Sequence, residues 1–159
     1  PGILHLGHAS TSIHFKGSCA GKPMPELRCV VPGAPVPAAR PRVTRYGTHN
    51  PRRMSDYLQV VRDSLAVEMR RKGLSPAPTG APVTFVVLAA VPWTKGTRKA
   101  DADTTVPYTG HRDASNFLKL AEDAGNGVVY EDDAQITRAV VEKWRVPRGE
   151  ERLEITASW

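Results

Sequence analysis

Between residues 55 and 72, Tyr57, Leu58, Val61, Leu65 and Met69 recur at the three- and four-residue spacing of one helical stripe. The pattern predicts an amphipathic helix with Ser55 as its N-cap and Gly73 as its stop, and Arg70, Arg71 and Lys72 suit the negative end of its dipole. Strand patterns surround it. Residues 27–31 (LRCVV) are a short β-branched run closed by Pro32 and Gly33. Residues 83–91 (VTFVVLAAV) are apolar on both faces, which predicts a central strand covered on two sides. Residues 135–146 are rich in β-branched side chains. Residues 152–159 alternate, with Leu153, Ile155, Ala157 and Trp159 on one face and Arg152, Glu154, Thr156 and Ser158 on the other. The turn-like Pro147, Arg148 and Gly149 between these two runs predict an antiparallel hairpin.

A second helix is expected over residues 116–125, capped by Ser115 and stopped at Asn126 and Gly127. Its apolar side holds Phe117, Leu118, Leu120, Ala121 and Ala124, and its polar side holds Lys119, Glu122 and Asp123. The sum is an α+β single domain, a mixed sheet of about four strands packed with two main helices.

The 159 residues suffice for one domain, placed at 27–159. Residues 1–26 start at Pro1, lack periodicity and are expected to be a loose extension or cloning remnant; His5, His8 and His14 belong to it. No apolar run approaches the roughly 20 residues that span a bilayer, so no membrane partner is expected. A net charge of +6 and a pI near 9.6 favour a polyanionic partner, nucleic acid before membrane, although a merely solvated basic surface has the same signature. Cys19 and Cys29 are too few for a zinc site. They fit a reduced cytosolic protein, with a Cys19–Cys29 disulfide as a minor alternative.

Against that basic background, residues 112–136 gather six carboxylates, Asp113, Glu122, Asp123, Glu131, Asp132 and Asp133, around Lys119. Asp113 precedes the helix, where negative charge is favoured, and a tight turn brings Asp132 or Asp133 back toward it. Carboxylates converging from separate elements suit a hard divalent cation such as Mg²⁺, with Lys119 offsetting charge on a phosphate. A solvated face with a Lys119/Asp123 pair explains the same residues without any site. Asp101 and Asp103 form a weaker candidate pair in a long polar loop. Upstream, Pro37 and Pro41 hold Arg40 out of a helix, and Arg40, Arg42 and Arg45 beside Tyr46 suit phosphate contact and base stacking.

Several motif pieces occur in a specific order: Asp113, Ser115 and Asn116; Lys119; Asp123; Asn126 and Gly127; Tyr130; Asp132, Asp133 and Gln135. With Gly33–Pro37 and Arg40-Pro41-Arg42 upstream and Lys143 downstream, this order resembles the RusA family of Holliday junction resolvases, found in phages and prophages. The resemblance covers about residues 27–146. It implies a homodimeric, Mg²⁺-dependent endonuclease, with Mn²⁺ as an alternative metal, that nicks four-way DNA junctions symmetrically in a bacterial cytoplasm. It places metal-binding acids on Asp113 and Asp133, with Asp132 beside them, and the catalytic lysine on Lys119. Arg40, Arg42, Arg45 and Lys143 would grip the DNA backbone. Ser115 stands where the family's pattern has a second acid, and Glu122, two turns along the same helix face, is the candidate replacement. The alternative is a branched-DNA-binding protein whose catalysis has decayed.

Overall fold

The computed structural model describes residues 24–39, 42–45, 47–49, 51–94, 96 and 102–159. Cys19, the three early histidines, Arg40, Tyr46 and Asp101 lie outside the described residues, as does the side chain of Arg42. In chain order the elements are β1 (Glu26–Pro32), β2 (Arg42–Thr44), β3 (Gly47–His49), α1 (Arg52–Lys72), β4 (Val83–Pro92), β5 (Val106–Pro107), α2 (Ala114–Gly125), a 3-10 turn (Asp133–Gln135), β6 (Ile136–Val146) and β7 (Arg152–Ser158). Among the described residues, five strands form one mixed sheet in the order β1-β7-β4-β6-β5, and β2 pairs with β3 in a separate ribbon. The domain is α+β, with the short β5 added to the expected strands.

Helix α1 starts three residues before the expected cap. Pro51, with φ −56°, accepts the amides of Met54 (2.9 Å) and Ser55 (3.1 Å), so proline's fixed torsion opens the helix and Met54 joins the core. At the other end Gly73 is left-handed as expected (φ 62°), and Leu74 N–H returns to Met69 O at 2.9 Å.

β4 is central, pairing in parallel with β6 and antiparallel with β7. Its two faces are covered unequally. Val83, Phe85, Val87, Ala89 and Val91 are buried, whereas on the opposite face Thr84, Val86 and Leu88 are half-buried and only Ala90 is fully buried. The parallel β4–β6 pairing needs a crossover, which carries α2 onto the buried face, where α1 packs against it.

The expected β6–β7 hairpin does not form. β7 instead lies between β1 and β4. Leu153, Ile155 and Ala157 are 0% exposed, and such a strand is best buried with a neighbour on each side. β6, by contrast, begins with exposed Thr137, Arg138 and Ala139 and suits a place farther from the sheet centre.

Candidate active site

Helix α2 is set by its apolar face, with Phe117, Leu120, Ala121 and Ala124 buried. It begins earlier than expected: Asp113, not Ser115, is the N-cap residue, without a side-chain capping bond, and Ser115 lies exposed inside the first turn. The far end is clamped from two sides. Tyr130 Oη donates to Glu122 O at 3.0 Å, and Arg62 of α1 donates to Asn126 O at 2.7 Å. The tyrosine ring approaches so closely that a Cβ on Gly125 would run into its hydroxyl oxygen. Gly127 makes the turn at φ +72°, a torsion open to glycine.

The next three acids have three different tasks. Glu131 Oε2 accepts from Thr79 Oγ1 at 2.6 Å. Asp132 Oδ1 accepts from Ala134 N at 2.8 Å, forming a capping box with Gln135, whose Oε1 accepts from Glu131 N (3.0 Å) and Asp132 N (3.4 Å). Gln135 Nε2 also donates to Pro78 O (2.8 Å) and Ala81 O (3.3 Å), tying the turn to the connector before β4. Asp133 alone of the three reaches toward α2.

There it meets Lys119, whose Nζ lies 2.9 Å from Asp123 Oδ1 and 3.2 Å from Asp133 Oδ2. The i,i+4 pair to Asp123 is therefore real, and a carboxylate from a separate element joins it. The hydrogen bond to Asp123 raises Lys119 above its ordinary value against a lesser effect of burial, and Asp133 adds to the rise. Both carboxylates thus favour the charged form of Lys119. Glu122 is half-buried beside them. Burial raises its carboxyl, Lys119 opposes that, and the charges of Asp133 and Asp123 add to it.

The structure therefore joins Lys119, Glu122, Asp123 and Asp133. Asp113 is exposed, and among the described residues no hydrogen bond or ion pair links it to that group, while Asp132 is engaged as a cap. Among the described residues, no set of three Asp, Glu, His or Cys side chains is placed to hold a metal ion. Lys143 is held in place: Nζ donates to Arg112 O (2.5 Å) and Gly110 O (3.1 Å) and lies 4.8 Å from the Tyr108 ring centroid. It pins the loop leading into Asp113. Arg45 is exposed, Arg42 opens β2, and Asp103 is exposed. The roles of Gln135, Tyr130 and Arg62 are additions to the sequence reading. Only Gln135 had a local signal, the Asp-x-x-Gln spacing of a capping box.

A strongly basic α+β domain with a lysine bracketed by carboxylates from a helix and a strand mouth has the makings of an enzyme acting on a phosphate polymer. The family model described as Endodeoxyribonuclease RusA matches residues 32–157, from the end of β1 into β7, and the chain belongs to that family. It is an endonuclease, a hydrolase acting on DNA. A search of the curated proteins returned no match.

Proposed function

We propose that the protein is a divalent-metal-dependent, structure-selective endonuclease that resolves four-way DNA junctions by paired nicks. The observation that carries the reading is Lys119 bracketed by Asp123 and Asp133, within a chain matched to the RusA family across most of its length. Paired nicks need two sites, so the working species is a homodimer, acting in the cytoplasm where junctions arise. Among the described residues, no helix is long and apolar enough to cross a membrane.

The donors fit a hard cation in part. Asp113, Asp133 and Glu122 offer only oxygen, and Mg²⁺ typically takes about one or two protein carboxylates, with substrate phosphate and water completing its shell. When bound, Mg²⁺ supplies Lewis acidity at phosphorus and a more acidic water. Asp133 and Asp113 are the proposed holders, with Glu122 in place of the acid absent at Ser115. Asp132 aims Asp133 through its cap. Lys119, whose charged form its two carboxylate partners favour, places positive charge against the phosphate as negative charge builds on its oxygens. Arg40, Arg42 and Arg45 grip the backbone, and Lys143 supports the site by fixing the Arg112 carbonyl next to Asp113.

The test is incubation of the protein and its Asp113→Asn variant with labelled four-way junction, flap and linear duplex, with and without Mg²⁺. Paired nicks confined to the junction and abolished in the variant support the reading. Binding without cleavage in Mg²⁺ or Mn²⁺ overturns it in favour of a decayed branched-DNA binder.

A further inference from the structure

Beside the loop that leads into Asp113, a cleft of about 470 Å³ opens where β4 and β6 end. Arg53, Arg112, Arg145 and Arg148 line it, against one carboxylate, Glu151, which already accepts from Gly149 N at 2.6 Å. Half-buried Trp93 supplies aromatic wall, and Tyr108, 5% exposed, lies beneath the floor. The floor is fixed. The Arg145 guanidinium lies 4.0 Å from the Tyr108 ring centroid and 5.8 Å from that of Trp93, and its Nη1 donates to Pro92 O at 2.6 Å. Arg148 Nε reaches Trp93 O only at 3.4 Å. The guanidinium groups of Arg53 and Arg112 have no hydrogen-bond or ion-pair partner among the described residues.

Arg53 and Arg112 also line an adjoining hollow of about 230 Å³ beneath the segment from Pro35 to Ala39. That segment is docked on both helices, with Ala38 N–H on Asn116 O (2.8 Å) and Ala39 N–H on Met54 Sδ (3.1 Å). The positive surface therefore continues past the N-terminus of α2 beneath Pro35–Ala39.

Four guanidinium groups facing one engaged carboxylate repel one another, and a bound polyanion relieves that repulsion. Each planar fork matches a phosphate with two parallel hydrogen bonds, and an aromatic wall beside them suits the sugar or base of the same strand. We infer that this cleft holds the phosphodiester backbone of one DNA strand, a contact line additional to the arginine loop, with Arg53 and Arg148 each neutralising a phosphate. The inference rests on the nuclease reading.

The experiment measures the affinity of the full chain for a fluorescent four-way junction across a salt series in EDTA, which separates binding from cleavage. An Arg53→Gln/Arg148→Gln variant is compared with an Arg28→Gln/Arg71→Gln control that removes the same charge elsewhere. Both substituted pairs are exposed, and circular dichroism checks folding. Removing one arginine–phosphate interaction lowers the slope of log affinity against log salt by about 1, so the cleft variant should fall by about 2 and the control by much less. An Arg53→Lys/Arg148→Lys variant, keeping the charge, should recover most of the slope. An unchanged slope in the cleft variant, or an equal fall in the control, overturns the inference while leaving the nuclease reading standing. Failure of the unaltered protein to bind any DNA overturns both.

Discussion

Lys119 of α2 lies 3.2 Å from Asp133 at the mouth of β6, joining two elements that only the crossover after β4 brings together. Their side chains are 54% and 37% exposed, so the pair contributes at most about 1 kcal/mol to stability. A pair of so little structural value is free to serve chemistry. Lys119→Met and Asp133→Asn should each reduce junction cleavage by about 10²–10³-fold, the scale of removing one charge-stabilising group. Their thermal midpoints should stay close to that of the unaltered protein. Rate assays beside thermal melts check both halves, and a large drop in melting temperature would assign the residues to the fold instead.

Asp132 and Asp133 are adjacent but differently employed, which a charge-removing, cap-retaining change can separate. Asp132→Ser keeps an N-cap oxygen and should preserve most of the cleavage rate. Asp132→Ala removes the cap and should cost about 1 kcal/mol of stability. Denaturant melts and cleavage rates on the two variants test this, and equal loss of activity in both would make the Asp132 charge itself catalytic.

Gln135 bonds the acidic turn to Pro78 and Ala81 on one side and to Glu131 on the other. Gln135→Ala leaves those groups to water and should cost about 1–2 kcal/mol. With Asp133 less firmly aimed, kcat should fall while junction affinity measured in EDTA is retained. Equal losses in rate and affinity would argue against a positioning role.

Gly125 gives way to the Tyr130 ring, itself packed edge-on against Phe85 at 5.7 Å. Gly125→Ala forces that ring or the end of α2 to move, at about 1–3 kcal/mol. Urea denaturation reads the loss, and an unchanged midpoint would mean that the close approach is easily relieved.

Two groups away from the site set expectations for stability against pH. Burial alone would raise the Glu154 carboxyl, but hydrogen bonds from Arg152 (2.7 Å) and Arg28 (3.2 Å) carry it below its ordinary 4.5. A lowered carboxylate contributes stability above its unfolded value and loses it as pH falls through the folded one, so Glu154→Gln should flatten the acid limb. Cys29 is pushed up to about 11 by burial, with Glu68 adding to it. A raised thiol leaves stability intact below 9.0 and lowers it as pH climbs toward about 11, so Cys29→Ala should flatten the alkaline limb. Urea midpoints across pH test both.

The periodic stripe from Tyr57 to Met69 and the apolar run of β4 are legible in the sequence because each buried face repeats within its own segment. The place of β7 is not, since its alternation fixes which side is buried and says nothing about which strands flank it. The same limit governs the site. The acids from Asp113 to Asp133 can be counted along the chain, but which of them meets Lys119 depends on Thr79, Ala134 and Gln135 engaging the others, and Thr79 and Pro78 stand more than fifty residues away. The start of α1 escapes a reading by propensity because Ser55 is the better cap on that scale, while Pro51 opens the helix through its fixed torsion.

The strand that links β1 to β4 is the last of the sheet to be synthesised. A nascent chain that stops before Arg152 has its first strand without a partner in the sheet and β4 with one edge unpaired, and these long-range pairings form late. Residues 152–158 therefore close the sheet, since without them β1 is detached from β4.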